Sequence, residues 1–216
     1  MNFRLGRLGI AAAILFAQAE AAQAHIVASR LGDFYAGALH PLTDLQDIIL
    51  WVAMGVLAGS LGAARGRWLV LVFPLGLLAG LVLGRAFGGL SAGPAVNAGM
   101  ILGLGLLLAA AARLPTALLC VIAFGLAVLR GAANAGDLGP ETDRRLFAAG
   151  LACAGYAAIT LIMALTLAFR RPDAGTSLAG TSLAGTSLEW RGIAIRAFGG
   201  WVAAIGLMMV GFALAS

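Results

Sequence analysis

The chain has 216 residues, of which 62% are hydrophobic and 11% are charged, and its formal net charge is +5. Soluble domains carry about 25% charged residues, so this composition excludes a soluble globular domain and indicates an integral membrane protein. The basic residues are all arginines, spread singly or in pairs between apolar runs. This distribution indicates membrane topology and excludes nucleic acid as a partner.

The N-terminus has the three parts of a secretory signal. Arg4 and Arg7 precede the apolar run LGIAAAILFA, and small residues follow in AQAEAAQA up to Ala24. The pattern predicts a signal peptide over residues 1–24, with His25 as the first residue after cleavage. The alternative is an uncleaved signal anchor, which would add one membrane helix.

Apolar segments long enough to cross a bilayer, at roughly 20 residues each, follow the signal. They occupy residues 46–64, 67–87, 93–112, 114–131, 146–169 and 193–214. The sequence therefore predicts an all-α fold, a polytopic membrane bundle of six transmembrane helices. We divide the mature chain into an extracytoplasmic segment, 25–45, and a transmembrane domain, 46–216.

The connection 170–192 carries the tandem AGTSLAGTSLAGTSL. Copies of five residues are too short to be structural repeats, and their composition is typical of a flexible linker. We assign them no chemistry.

The arginines predict the orientation of the bundle. Inner connections would hold Arg65, Arg67, Arg113, Arg170, Arg171 and Arg191. Outer connections would hold Arg85, Arg130, Arg144 and Arg145, together with Asp137, Glu141 and Asp143. This bias favours a bacterial cytoplasmic-membrane protein in contact with the lipid bilayer, with its mature N-terminus outside.

The stretch ALHPLTDLQDIILWVAMGVLAG places polar side chains directly before an apolar run. Pro41 suits the first turn of a helix, which puts His40 at or near the N-cap. Asp44 and Asp47 lie three residues apart and share a face. They either mark a solvated helix entrance, where the helix dipole favours carboxylates, or form a cation or metal site at the mouth of the bundle.

This region resembles the HupE/UreJ family of membrane proteins, regarded as nickel or related transition-metal permeases that serve hydrogenase and urease maturation. The family pattern is roughly G-x-F-x-x-G-x-x-H-P-x-[ST]-G-x-D-H. The residues that match it are Gly32, Phe34, Gly37, His40, Pro41 and Thr43. The later stretches FPLGLLAGLVLG, PAVNAGMILGLGLLL, LRGAANAGDLGP and AIRAFGGWVAAIGLMMVG are also similar to family helices.

The chain departs from the family at the ligand positions that the resemblance implies. Gln46 and Asp47 stand in place of the family's Asp-His pair, Asn97 in place of a Glu, and Arg130 and Asn134 in place of two His. Asp137 falls where the family has an acidic residue after the second His. His40 alone is retained among these ligands. A guanidinium has no lone pair for a cation, so Arg130 cannot be a metal ligand.

This substitution pattern predicts an ion pair. If the first and fourth transmembrane helices face each other at the outer surface, Asp47 and Arg130 replace two histidines that would have met at a metal. A bidentate arginine–carboxylate pair could then hold the two helices together without metal.

A metal role is also predicted as an alternative for the outer surface. The α-amine and ring nitrogen of His25 would form a chelating pair after cleavage, and His40, Asp33, Asp44 and Asp47 lie on the same predicted side. The ion would be transported Ni²⁺ or Co²⁺ rather than a permanent cofactor.

Other features point to packing rather than chemistry. Cys120 and Cys153 fall inside predicted helices and are interpreted as small packing residues, although a disulfide between them stays open. Asn97 either caps its helix or joins the outer polar residues. Gly76, Gly80 and Gly84 have the small-xxx-small spacing of closely packed membrane helices.

Enzymatic functions find little support in the sequence. The chain has two histidines, neither paired with Ser or Cys at a recognisable spacing, and no Gly-rich phosphate loop with its lysine. We therefore predict a protein that is not an enzyme. Two functions remain: a permease for a divalent cation, or a divergent transport-inactive scaffold or accessory protein that associates with itself or with a membrane partner.

Overall fold

A computed structural model describes residues 32–87, 93–136, 138–139, 141–171 and 183–215, with the side chains of 183–189 left out. Within these ranges the ordered elements are helices, and none of the described residues is in a strand. The predicted signal peptide and His25 lie outside the described residues.

The helices follow the apolar segments of the sequence. Helix α1 covers residues 32–39 and runs into a 3₁₀ turn, His40–Leu42. The six longer helices are α2 Leu45–Ser60, α3 Ala63–Ala86, α4 Pro94–Ala109, α5 Thr116–Asn134, α6 Arg144–Arg170 and α7 Leu183–Ala215. One helix thus lies at each of the six predicted segments, and the all-α fold is confirmed.

Length and apolarity qualify four of these helices as membrane spans: α3, α5, α6 and residues Trp190–Ala215 of α7. The segments Gly32–Leu42 and α2, bent by 80° at their junction, qualify together as a fifth. Helix α4 is apolar but has 16 residues, about 24 Å at 1.5 Å per residue, against a hydrocarbon core of about 30 Å. Six full spans therefore stay a prediction.

The start of α2 differs from the sequence expectation. Pro41 lies in the 3₁₀ turn, and the N-cap of α2 is Asp44, whose side chain accepts a hydrogen bond from the Gln46 backbone N–H at 2.8 Å. His40 therefore does not cap α2. An aspartate side chain satisfies one of the free N–H groups of a first helical turn, which a histidine followed by proline does not do here.

Helix α7 begins earlier than the sequence predicts. It starts at Leu183, so the third AGTSL copy and the residues up to 192 are helical rather than part of a linker. Extending an existing helix gains one hydrogen bond for each residue fixed, and Ala and Leu are strong helix formers.

The helices pack chiefly in three pairs: α3 with α5, α4 with α7, and α2 with α6. Small residues make these approaches close. A Cβ atom added at Gly76 of α3 would lie 2.6 Å from Ala127 Cβ and 2.8 Å from the Phe124 carbonyl oxygen of α5. Gly80 and Gly84 also face α5, as the spacing of the three glycines predicts.

A hydrophobic core joins the pairs. Trp51 of α2 meets Phe73 of α3 edge to face, with ring centroids 6.0 Å apart. Further buried members are Leu50, Met54, Leu69, Leu77, Leu119, Leu151 and Ile159. Large apolar side chains also cover the outside of the bundle, including Val82, Trp201 and Leu214, a surface that suits contact with lipid. Cys120 and Cys153 are free thiols.

Candidate functional site

The guanidinium of Arg130 lies at the N-terminal end of α2 and contacts three of its residues. Arg130 Nε donates to Asp47 Oδ1 at 2.6 Å, and Nη2 donates to Asp44 Oδ2. Arg130 Nη1 reaches Gln46 Oε1 at 3.5 Å. We call Arg130, Asp44, Gln46 and Asp47 the Arg130 cluster.

Local helix structure positions the acids of the Arg130 cluster. Asp44 is the N-cap and Asp47 lies in the first turn of α2, where the positive end of the helix dipole stabilises negative charge. Asp44 uses Oδ1 for the cap and Oδ2 for Arg130. The cap therefore fixes the orientation of the carboxylate that receives the guanidinium.

The Arg130 cluster is buried at one end and open at the other. Asp47 is fully buried and Arg130 is 4% exposed, whereas the side chain of Asp44 is 42% exposed. Arg130 belongs to the α3–α5 pair and the two aspartates to the α2–α6 pair. The ion pairs thus link two helix pairs that are otherwise joined through apolar packing.

Several buried polar atoms next to the Arg130 cluster have no hydrogen-bond partner among the described residues. They are Asp47 Oδ2, Trp51 Nε1 and Asn134 Nδ2. Trp51 follows Asp47 by four positions and Asn134 follows Arg130 by four, so each lies on the same helix face as its charged neighbour. Among the described residues, one acceptor of the Arg130 cluster and two donors one helical turn away along α2 and α5 thus have no partner.

Two other residues predicted as metal ligands lie at the contact between α1 and α6. The His40 ring packs edge to face on Phe147, with centroids 5.6 Å apart. Asp33 Oδ2 accepts a hydrogen bond from the Asp143 backbone N–H at 2.9 Å, just before α6. Among the described residues no group of three or more His, Cys, Asp or Glu is placed to hold a metal.

Two further positions of the family motif, Asn97 and Asn134, lie at helix ends. Asn97 is half-buried in the first turn of α4, whose N-cap is Gly93 rather than Asn97. Asn134 is the last residue of α5 and is buried. His25 and Asp137 lie outside the described residues, so the predicted chelate at His25 stays a prediction.

In the Arg130 cluster, the two carboxylates bind a positive charge that the protein itself supplies, the guanidinium of Arg130. Two carboxylates surround one guanidinium, which leaves a formal charge of −1 on these groups. Charge-assisted hydrogen bonds of this kind are among the stronger polar contacts in proteins.

The sequence predicted contact between Asp47 and Arg130. It did not predict that Asp44 and Gln46 also accept hydrogen bonds from Arg130. The geometry differs from the bidentate pair that we expected, because one guanidinium bridges two carboxylates. A signal for this arrangement was present in the sequence. Asp44 stands immediately before the first apolar residue of the helix, which is the usual N-cap position, but Pro41 favoured an earlier start.

Comparison with known proteins gives a match over most of the chain. The profile of the HupE / UreJ protein family matches residues 12–209. No significant match is found among curated proteins or among solved structures. At the level of the family, the match implies an accessory function similar to that of nickel and cobalt transporters. The extent of the match, together with the helical membrane fold, shows that the chain belongs to the HupE/UreJ family.

Proposed function

We propose that the protein is a permease for a divalent transition-metal cation, nickel in the first place, that serves the maturation of a metalloenzyme. The observation that carries the proposal is the pair of carboxylates, Asp44 and Asp47, gathered around a cationic group at the end of the bundle. In this function the guanidinium of Arg130 is an internal cation that the metal displaces.

The charges and burial of the Arg130 cluster support this role. The formal charge of −1 favours a cation, and Asp44 is the exposed member that an incoming ion would meet first. Asp47 Oδ2, which accepts no hydrogen bond from the described residues, is a ready oxygen ligand. Nickel accepts carboxylate and imidazole ligands, and its affinity for such sites exceeds that of most divalent first-row metals.

Membrane placement follows from the arginine distribution. We place the protein in the bacterial cytoplasmic membrane with the Arg130 cluster at the outer surface, because the larger share of loop arginines lies at the opposite end.

A second function is favoured by the same guanidinium. Arg130 already donates to one oxygen of each carboxylate, Asp47 Oδ1 and Asp44 Oδ2, and its side chain is always charged. In this alternative the chain is a transport-inactive member of the family that acts as a scaffold or accessory protein. The ion pairs then serve only to hold α5 against α2.

Calorimetric titration of the purified full chain with NiCl₂ and CoCl₂ tests the proposal. The permease requires binding in the micromolar range that Asp44→Asn weakens by at least tenfold. It also requires tighter binding in Arg130→Gln, because the internal cation is then gone. His40→Ala measures whether the retained histidine contributes. The control Glu141→Gln removes a carboxylate outside the Arg130 cluster.

Cellular uptake of ⁶³Ni separates the two functions. Uptake above that of an empty vector, lost in Asp44→Asn but not in Glu141→Gln, supports the permease. If wild type and Arg130→Gln neither bind nor accumulate nickel or cobalt, the scaffold is the better account.

A further inference from the structure

A second polar site lies at the end of the bundle opposite the Arg130 cluster. Helices α2, α4 and α6 end there and α3 begins there, around a cavity of about 310 Å³. Four guanidinium groups line it: Arg65, Arg113, Arg170 and Arg196. We call this site the arginine cavity. Its volume falls at the lower end of the range for small-ligand sites, about 300–1,000 Å³.

Three of the four arginines donate hydrogen bonds to backbone carbonyl groups at this end of the bundle. Arg196 Nε donates to the Ala109 carbonyl at 3.0 Å, Arg170 donates to the Ser60 carbonyl, and Arg65 donates to the Leu114 carbonyl. The Ser60 and Ala109 carbonyls are ones that helix ends leave free, and the Leu114 carbonyl lies in the connection before α5. Each guanidinium has five N–H donors, so most of the donors remain available. Arg113 has no hydrogen bond or ion pair with the described residues.

The positive charge of the arginine cavity is not balanced by the described protein. No carboxylate lines it, and the described acidic side chains belong to the other end of the bundle. Three helix C-termini contribute about −0.5 each and the N-terminus of α3 about +0.5. Against four guanidinium charges, these dipoles leave an excess of about three positive charges. Among the described side chains, this excess favours the binding of an anion.

The side chains that line the cavity indicate which kind of molecule bears the anionic group. Beside the arginines lie apolar side chains from three helices, Leu57, Leu107, Leu108 and Ile195. Leu57 and Leu108 are buried, whereas Arg113, Arg170 and Arg196 are exposed. Such a cavity suits a ligand whose phosphate group contacts the exposed arginines and whose acyl chain contacts the apolar side chains. Arginine also has the planar fork that binds phosphate oxygens in pairs.

We propose that the arginine cavity binds a phosphate-bearing anion, with the phosphodiester headgroup of an anionic phospholipid as the ligand class. This inference does not depend on metal transport, because it concerns other residues at the other end of the bundle. Basic pockets between helices on the cytoplasmic side are known to suit anionic lipid headgroups. The excess of arginine predicts the cytoplasmic side for this end.

The test counts lipids bound to the full chain. Protein purified in neutral detergent is titrated with phosphatidylglycerol, and separately with phosphatidylcholine, and bound lipid is measured by native mass spectrometry. We expect one tightly bound phosphatidylglycerol. The double variant Arg113→Gln/Arg196→Gln should bind it at least tenfold more weakly, since it removes two of the four positive charges that line the cavity.

Arg67→Gln/Arg171→Gln is the matched control. It removes two exposed arginines from the same end of the bundle that do not line the cavity. We expect a loss of less than about threefold. Equal losses in the two double variants, or equal binding of the two lipids by wild type, would overturn the site. Retained melting temperatures would show that both variants fold.

Inorganic phosphate distinguishes the two sources of the anion. If millimolar phosphate leaves phosphatidylglycerol bound, the ligand is the lipid. If phosphate displaces the lipid from wild type and itself loses affinity in Arg113→Gln/Arg196→Gln, the same cavity is a site for soluble phosphate.

Discussion

Removing either partner of the Asp47–Arg130 pair should destabilise the fold, and removing both should cost less than the sum. The 2.6 Å contact places the charge centres about 4 Å apart, which corresponds to about 4 kcal/mol at an effective dielectric constant of 20. Deleting one member of a buried pair costs about 3–5 kcal/mol, because it strands the other charge. In the double variant no stranded charge remains on this pair, so we expect a coupling energy of about 1–3 kcal/mol.

The geometry also predicts which single variant is worse. In Asp47→Ala the guanidinium keeps Asp44 and Gln46, whereas in Arg130→Ala the buried carboxylate of Asp47 loses its cation. Arg130→Ala should therefore cost more, by about 1–2 kcal/mol.

A double-mutant cycle measures both effects. The full chain in detergent micelles is unfolded with increasing sodium dodecyl sulfate and followed by circular dichroism for wild type, Arg130→Ala, Asp47→Ala and the double variant. Asp47→Ala combined with Arg85→Ala is the control cycle, since Arg85 is exposed and should give additive losses. Additive losses for Asp47 and Arg130 would refute the reasoning.

Two further variants test helix packing and capping by the same unfolding assay. Gly76→Ala should cost about 1–3 kcal/mol, because the added methyl meets Ala127 Cβ at 2.6 Å. Gly125→Ala, with nothing within 4 Å of its Cβ, should be neutral or stabilising by up to about 1 kcal/mol, because alanine favours the helix more than glycine does. Equal effects would contradict the packing of α3 on α5. Asp143→Ala removes the N-cap of α6 and its bonds to two backbone N–H groups, which should cost about 1 kcal/mol. Glu141→Ala, an exposed neighbour, should be neutral, and a loss as large as that of Asp143→Ala would argue against the cap.

Local features of the sequence predicted the helices well and their ends less well. Apolar length located all six long helices, because burial in lipid depends on composition over about 20 residues. The start of α2 was misplaced because Pro41 and Asp44 are both helix-start signals, and only the backbone path decides between them. The start of α7 was placed too late because the AGTSL copies have no apolar run of their own.

The sequence by itself determined the membrane class, the helical fold and the family, and it predicted a contact between Asp47 and Arg130 on the condition that their helices face each other. Each of these rests on composition or on residue types at fixed motif positions. Tertiary structure decided the rest: that Asp44 both caps α2 and binds Arg130, that the His40 ring packs on Phe147 while Asp33 accepts from the Asp143 backbone, and that four arginines distant in the sequence meet around one cavity. Such contacts depend on how each helix is rotated and how closely the backbones approach, and both are set by side chains distant in the sequence.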